Sequence, residues 1–248
     1  MRTAIRDTIS ALPGGPRLLG LYRQYRLAPR LAHRGYVGGM WDEIGKAQFD
    51  FMVREGLQPD DVLLDIACGS LRGGRHFIAY LEPEHYLGFD QHAWLIESGL
   101  RHEVPKKMRR EKRPQFVVSE RFEFDKFEQR PTVALAQSLF SHLIKDDIRV
   151  CLTNLRAVMD QDARFFASYI LAGSIWAGYS NLNESEDTQP FQYEPDEIIK
   201  MGRATGWQGR DIGDWGHPRG QQMLEFVAAA SEPAHAESAT APVRQKAI

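Results

Sequence analysis

Cysteine is scarce in this chain: among 248 residues only Cys68 and Cys151 carry thiols. Two such distant residues supply neither a metal-ligand spacing nor a disulfide framework. Cys68 falls in an apolar strand-to-turn segment and reads as a buried reduced thiol, a usage that fits a cytoplasmic protein. No apolar run approaches the roughly 20 residues that a membrane span needs. Asp7, Pro13, Gly14 and Arg17 interrupt the N-terminal region where a secretory signal keeps an unbroken apolar core. An excess of one charge is missing as well, since 31 Lys and Arg face 33 Asp and Glu, for a net charge of −2. That balance argues against nucleic-acid binding driven by overall charge. No cluster of His, Cys and carboxylates has ligand spacing, so no metal site is expected.

What is present is a globular composition, 43% hydrophobic and 26% charged, in a chain long enough for one large α/β domain. Three regions are expected: a basic amphipathic helical segment over 1–35, a main domain over 36–230, and a tail over 231–248 whose Ala, Ser, Pro and Glu content marks disorder. The first region holds Arg2, Arg6, Arg17, Arg23, Arg26, Arg30 and Arg34 against Asp7 alone. Apolar residues recur at helical intervals over 17–34, so the segment packs on the domain with its arginines in water or makes weak contact with an anionic membrane surface.

Within the main domain, residues 41–56 read as a helix. Residues 62–66 form a short β-branched apolar run of the kind buried in a parallel sheet. A glycine-rich turn follows, with a helix over 72–81. A second strand over 86–89 ends on Asp90. Residues 92–113 read as one helix, strongly basic toward its end, and most such runs are solvated faces. Further strands are expected at 115–119, 133–136 and 164–170, with a helix over 145–159 between the last two. Residues 172–192 are polar and read as a loop near a site. Pro195 opens a helix to about Ala204, with Asp196 and Glu197 suited to its first turn. Two successive strands, near 207–212 and 221–228, close the domain. Alternating strands and helices predict a Rossmann-like, mostly parallel seven-stranded sheet with an antiparallel closing strand and helices on both faces.

The chemistry concentrates at Asp65 to His76, DIACGSLRGGRH, at the C-terminal end of a strand, where open parallel sheets bind ligands. Glycine there lets backbone approach a ligand and adopt positive φ. Asp90, 25 residues beyond Asp65, ends the next strand, where a carboxylate can accept hydrogen bonds from both hydroxyls of a ribose.

LLDIACGSLRGG resembles the first motif of class I S-adenosylmethionine-dependent methyltransferases, and its longer form is similar to a bacterial subgroup of that superfamily. YLGFD resembles the second motif, and ALAQSLFSHL, Ala134 to Leu143, the fourth-strand motif. The resemblance covers roughly residues 40 to 228 and implies S-adenosyl-L-methionine as cofactor. It places Asp65 near the methionine amino group, Ala67, Gly69 and Ser70 in the turn beside the ribose and methionine, and Asp90 on the ribose. Ser119 and Glu120 would meet the adenine edge, and Gln137 the amino group; Trp41 and Gln48 would close the pocket or simply pack. Two positions depart from the usual glycine pattern: Ala67 stands where the first glycine is usual and Leu71 where the third would be.

Methyl transfer from a sulfonium is an in-line displacement that mostly needs alignment and a dry pocket, with a base only when the acceptor must lose a proton. His142, just past the fourth strand, and His217, between the last two, are the candidate catalytic bases. His76 and His92 read as structural or exposed. Arg219, beside His217, could anchor a carboxylate or phosphate, while Tyr179 and Trp176 of the polar loop could enclose a substrate. The Asn/Asp-Pro-Pro-Tyr/Phe sequence common in enzymes that methylate exocyclic nitrogens is missing. The expectation is therefore a transferase acting on an oxygen of a small-molecule acceptor, a sugar or a specialised metabolite. Two alternatives stand beside it. A nicotinamide-dependent oxidoreductase is disfavoured by the lack of Gly-x-Gly-x-x-Gly and of a Tyr-x-x-x-Lys pair. A non-catalytic methyltransferase-like binding protein has Ala67 and Leu71 in its support.

Overall fold

The computed structural model describes residues 32–174 and 190–229. Most of the basic N-terminal segment, the proposed tail, and Trp176 and Tyr179 lie outside the described residues.

A short helix α1 (Ala32–Tyr36) leads through a turn into α2 (Trp41–Arg54). Then β1 (Leu63–Ile66), α3 (Gly74–Tyr80) and β2 (Tyr86–Asp90) follow. Two helices come next, α4 (Ala93–His102) and α5 (Lys106–Lys112), before β3 (Gln115–Val118). The remainder is β4 (Val133–Ala136), α6 (Lys145–Val158), β5 (Arg164–Tyr169), α7 (Pro195–Ala204), β6 (Trp207–Asp214) and β7 (Gln222–Ala228).

The seven strands form one sheet in the order β3-β2-β1-β4-β5-β7-β6. Pairing is parallel from β3 through β5, and β7 runs antiparallel to both of its neighbours. The strand expected to close the sheet antiparallel therefore closes it in sequence but lies between β5 and β6 in space. Strand order reverses between β1 and β4, which opens a crevice at the C-terminal ends of these strands.

Every residue of β1, β2 and β4 is buried, the pattern of strands covered on both faces. Alternation sorts them into two cores. Leu64, Ile66, Leu87, Phe89, Ala134 and Ala136 pack with residues of α6 and α7. Leu63, Tyr86, Val133 and Leu135 pack with Phe51, Met52, Phe77 and Ile96 from the opposite helices. Asp65 and Asp90 belong by alternation to this second face, because Asp65 pairs with Gly88, two residues from Asp90. A side chain at Gly88 would collide with Phe116 at 2.5 Å, so that strand position has no room for one.

Local expectations hold at α7, where Pro195 opens the helix and Glu194 and Glu197 form a capping box. The single helix expected over 92–113 is instead two. Proline at 105 disfavours helical backbone at Val104, so α4 ends and α5 restarts beyond it. The helix expected from 72 starts at Gly74, because the glycine-rich turn continues through Gly73.

Candidate active site

The turn after β1 is built on left-handed backbone. Ala67, Gly69 and Leu71 take φ of 60°, 54° and 65°. The two departures from the glycine pattern thus adopt the conformation that glycine would adopt, at a cost of roughly 1–2 kcal/mol each. Leu71 is fully buried among Phe77, Ile96 and their neighbours, so burial of its side chain offsets that strain. The turn is pinned to β2: Gly69 N donates to Asp90 Oδ2 and His92 N to Asp90 Oδ1, both at 2.8 Å.

Asp65 is buried on the same face, and the Tyr86 phenol donates to its Oδ2 at 2.7 Å. Burial raises its pKa from 3.8 to about 7; the Tyr86 bond and Arg72 pull it down, and Asp90 adds to the rise. Ser119 and Glu120 follow β3 beside Asp90, with Ser119 N donating to Asp90 O at 3.2 Å. The Ser119 hydroxyl donates to Glu123 at 2.6 Å, and Glu120 is exposed. Ser70 is buried and its hydroxyl donates to the carbonyl of His33 at 3.2 Å, which ties the turn to α1.

Residues 32–40 form a strap over this corner. Glu103 anchors it: Arg34 donates to both of its carboxylate oxygens at 2.8 and 2.7 Å, and His33 Nε2 lies 2.8 Å from Oε1. Burial pushes Glu103 up, but the bonds from Arg34 and His33 hold it below the usual range. Val37 lies against the turn so closely that a methyl group on Gly69 would meet Val37 Cγ1 at 2.9 Å.

Beneath the strap runs a buried polar network. Gln137, just past β4, accepts from Gln48 Nε2 at 2.5 Å and from Arg72 Nη2 at 3.0 Å. Its amide nitrogen faces His217 Nε2 at 3.3 Å and Gln221 Oε1 at 3.4 Å. Gln221 accepts from Ser168 at 2.8 Å and donates to Ser138 at 2.6 Å. His217 is buried beside Trp215, with ring centroids 5.1 Å apart. Burial first, and then Arg72 and Arg219, lower its pKa from 6.5 to about 4, so the ring is neutral at pH 7.

The structure therefore brings Asp65, Ala67, Gly69, Ser70 and Asp90 to one corner and joins Gln137 to His217. His142 ends the turn Phe140–His142, half-buried, and the hydrogen bonds gathered on Gln137 run to His217 rather than to it. Arg219 lies near His217, and its Nη2 donates to the carbonyl of Gly38 in the strap. Gln48 belongs to the network, packed against Gly73, where any side chain would strike its amide oxygen. Sequence reasoning did not select Arg72, Gln221 or Ser168. A groove of about 340 Å³, lined by Met52, Thr132, Arg164 and Phe166, lies at the N-terminal strand ends, away from this chemistry.

A seven-stranded sheet with one antiparallel strand and a glycine-bearing corner at the switch in strand order has many solved counterparts. The fold is that of methyltransferases. A human N-acetylserotonin methyltransferase in complex with SAM aligns with a TM-score of 0.61 at 11% identity, over 88% of this chain. The chain spans 61% of the length of that enzyme. Magnesium protoporphyrin IX methyltransferase from Synechocystis, with bound SAH, aligns at 0.55 and 14% identity over 92% of this chain and all of its own. A TehB-like SAM-dependent methyltransferase from Corynebacterium glutamicum aligns at 0.55 and 15% identity, over 84% of this chain and 98% of its own. No family model matches the chain.

Proposed function

We propose that this methyltransferase fold works as an S-adenosylmethionine-dependent methyltransferase of the bacterial subgroup that its first motif resembles. In this reading the methyl group goes to an oxygen of a small-molecule acceptor, a sugar or a specialised metabolite. The observation that carries the proposal is the corner itself: two carboxylates on one sheet face, one of them fastening the turn. Asp90 accepts from two backbone N–H groups and so presents a fixed carboxylate for a ribose diol. Asp65 has one neutral donor and no ion pair among the described residues, an incomplete environment that an ammonium group would complete. The residues present fit the cofactor. Ser119 and Glu120 border the adenine side, and Gly69 and Ser70 the ribose side.

When bound, the cofactor supplies an activated methyl group on a sulfonium. This chain's residues exclude water and align the acceptor. His217, neutral and buried, would take the proton that an acceptor hydroxyl gives up. The Arg219 backbone N–H donates to Nδ1 at 3.2 Å, so the lone pair of the neutral ring lies there and Nε2 faces Gln137 at 3.3 Å; the acceptor proton would go to Nδ1 in place of that bond. His142 is the reserve candidate for this role. Trp176 and Tyr179 remain proposed acceptor contacts.

Titration calorimetry with S-adenosylhomocysteine, run beside a nicotinamide dinucleotide, tests the reading. Micromolar binding of the first and none of the second is expected, and the reverse would replace a methyltransferase by an oxidoreductase. A mass gain of one methyl substituent on hydroxyl compounds in a metabolite panel then identifies the acceptor class; methylation confined to protein or RNA would sink it.

A further inference from the structure

Arg72 is a buried guanidinium with no carboxylate partner among the described residues. Nη1 donates to the carbonyls of Val37 at 2.8 Å and Gly39 at 3.0 Å, and Nη2 to the Gln137 side chain. Nε is enclosed and donates to nothing among the described residues. Arg219 reaches the intervening carbonyl, that of Gly38. Two cations thus converge on three consecutive strap carbonyls, close enough that Arg219 disfavours charge on Arg72. Carbonyl dipoles compensate a buried guanidinium less well than an anion does.

Asp65 is the carboxylate whose charge favours the charged form of Arg72. It makes no hydrogen bond to Arg72; its donor is the Tyr86 phenol, and in the proposed function it faces an ammonium group. The other unmet groups along this side are donors too. Trp41 Nε1 and Trp215 Nε1 are enclosed without an acceptor among the described residues. Trp41 shares a helix face with Gly45 and Gln48, and Gly45 packs directly on the Arg72 backbone. Trp215 packs on His217. With Trp215 against its ring and Arg72 and Arg219 close by, His217 stands among N–H groups and positive charge.

We propose that the methyl acceptor is an anion, and that Arg72 and Arg219 bind its carboxylate or phosphate oxygens where the carbonyls of Val37, Gly38 and Gly39 now meet them. The acceptor enters as the strap shifts, exchanging three neutral oxygens for charged ones. Its reacting hydroxyl is then held beside His217. This deepens the methyltransferase reading and rests on it.

The test uses full-length protein saturated with S-adenosylhomocysteine and titrated with acetate and with inorganic phosphate, followed by calorimetry. Saturable binding of one probe is expected, weakened at least tenfold in both Arg72→Gln and Arg219→Gln, with S-adenosylhomocysteine affinity within about twofold of the parent. Arg72→Lys, which keeps the charge but loses the fork, should retain part of the probe affinity, and circular dichroism confirms that each variant folds. Should Arg72→Gln fail to fold, Arg219→Gln and Arg72→Lys decide the matter by the same criterion. If Arg72→Gln instead weakens S-adenosylhomocysteine but not 5′-methylthioadenosine, which lacks the carboxylate, the guanidinium serves the cofactor and the proposal falls. It falls equally if neither probe binds, or if binding is indifferent to both arginines. Failure of S-adenosylhomocysteine to bind the parent protein would strike the methyltransferase reading itself, and probe binding to the protein alone would still report on the two arginines.

Discussion

At the scale of single residues, the charge state of Asp65 sets the expected pH response. Its carboxyl keeps a proton up to about pH 7, whereas an ammonium ligand needs it ionised. S-adenosylhomocysteine affinity should therefore fall by up to tenfold per pH unit as the pH drops below about 7, measured by calorimetry between pH 5.5 and 8. A flat profile would remove Asp65 from the amino-group site. His217, already neutral above about pH 4, adds no limb in this range. Replacing it with Gln should lower kcat by about 10²–10⁴-fold and leave cofactor affinity unchanged; loss of affinity alone would point to a structural role. The left-handed turn yields a third expectation. Ala67→Gly removes strain but loosens the unfolded chain, so it should change stability by less than about 1 kcal/mol. Ala67→Val should destabilise clearly, as judged by urea unfolding.

Residues of this kind also mark how far the sequence could be read. Asp65, Gly69 and Asp90 were legible because a strand end and a glycine turn fix their positions locally. Arg72 lay inside the quoted motif yet drew no attention, since its partners Val37, Gly39 and Gln137 stand 33 to 65 residues away. Gln48 and Gln221 are isolated amides whose meaning arises only when the sheet gathers them. Arg219 was placed near the acceptor from its turn, but its contact with Gly38 spans 181 positions and no local pattern announces it.

Among the elements, strands were read well because apolar runs of four or five residues bounded by turns leave little choice. The helix over 92–113 was read as continuous because charge hid the break that Pro105 imposes. The strap escaped notice as a structural unit, since its anchor lies on the loop after α4. That anchor makes an element-level prediction. Glu103→Gln loses two charge-assisted bonds from Arg34, and hydrogen exchange should accelerate at Val37 and Gly39, whose amides bond to His33 and Arg34 carbonyls. Exchange as slow as in the parent would show that the arginine contacts from Arg72 and Arg219 suffice to hold the strap.

For the molecule as a whole, two buried groups pull stability in opposite directions with pH. The raised pKa of Asp65 contributes stability that is complete below about pH 4 and is lost as pH rises through about 7. The depressed pKa of His217 contributes stability present above 6.5 and lost as pH falls through about 4. Between pH 6.5 and 4 they oppose one another. Asp65→Asn should therefore show a steeper fall in thermal midpoint on acidification than the parent, and His217→Gln a shallower one. Identical slopes in all three proteins would mean that neither group titrates with the fold.

The reversed direction of β7 has a consequence for how the protein comes into being on the ribosome. A strand running against its neighbours begins where they end, so the stretch that feeds it, with His217, Arg219 and Gln221, arrives at the crevice from the opposite side. In the proposed function, the residues for the nucleoside are synthesised by residue 120, and those for the second substrate only from residue 217 onward. On that reading, a nascent chain halted between those points would carry the donor's cradle with nothing to receive the methyl group.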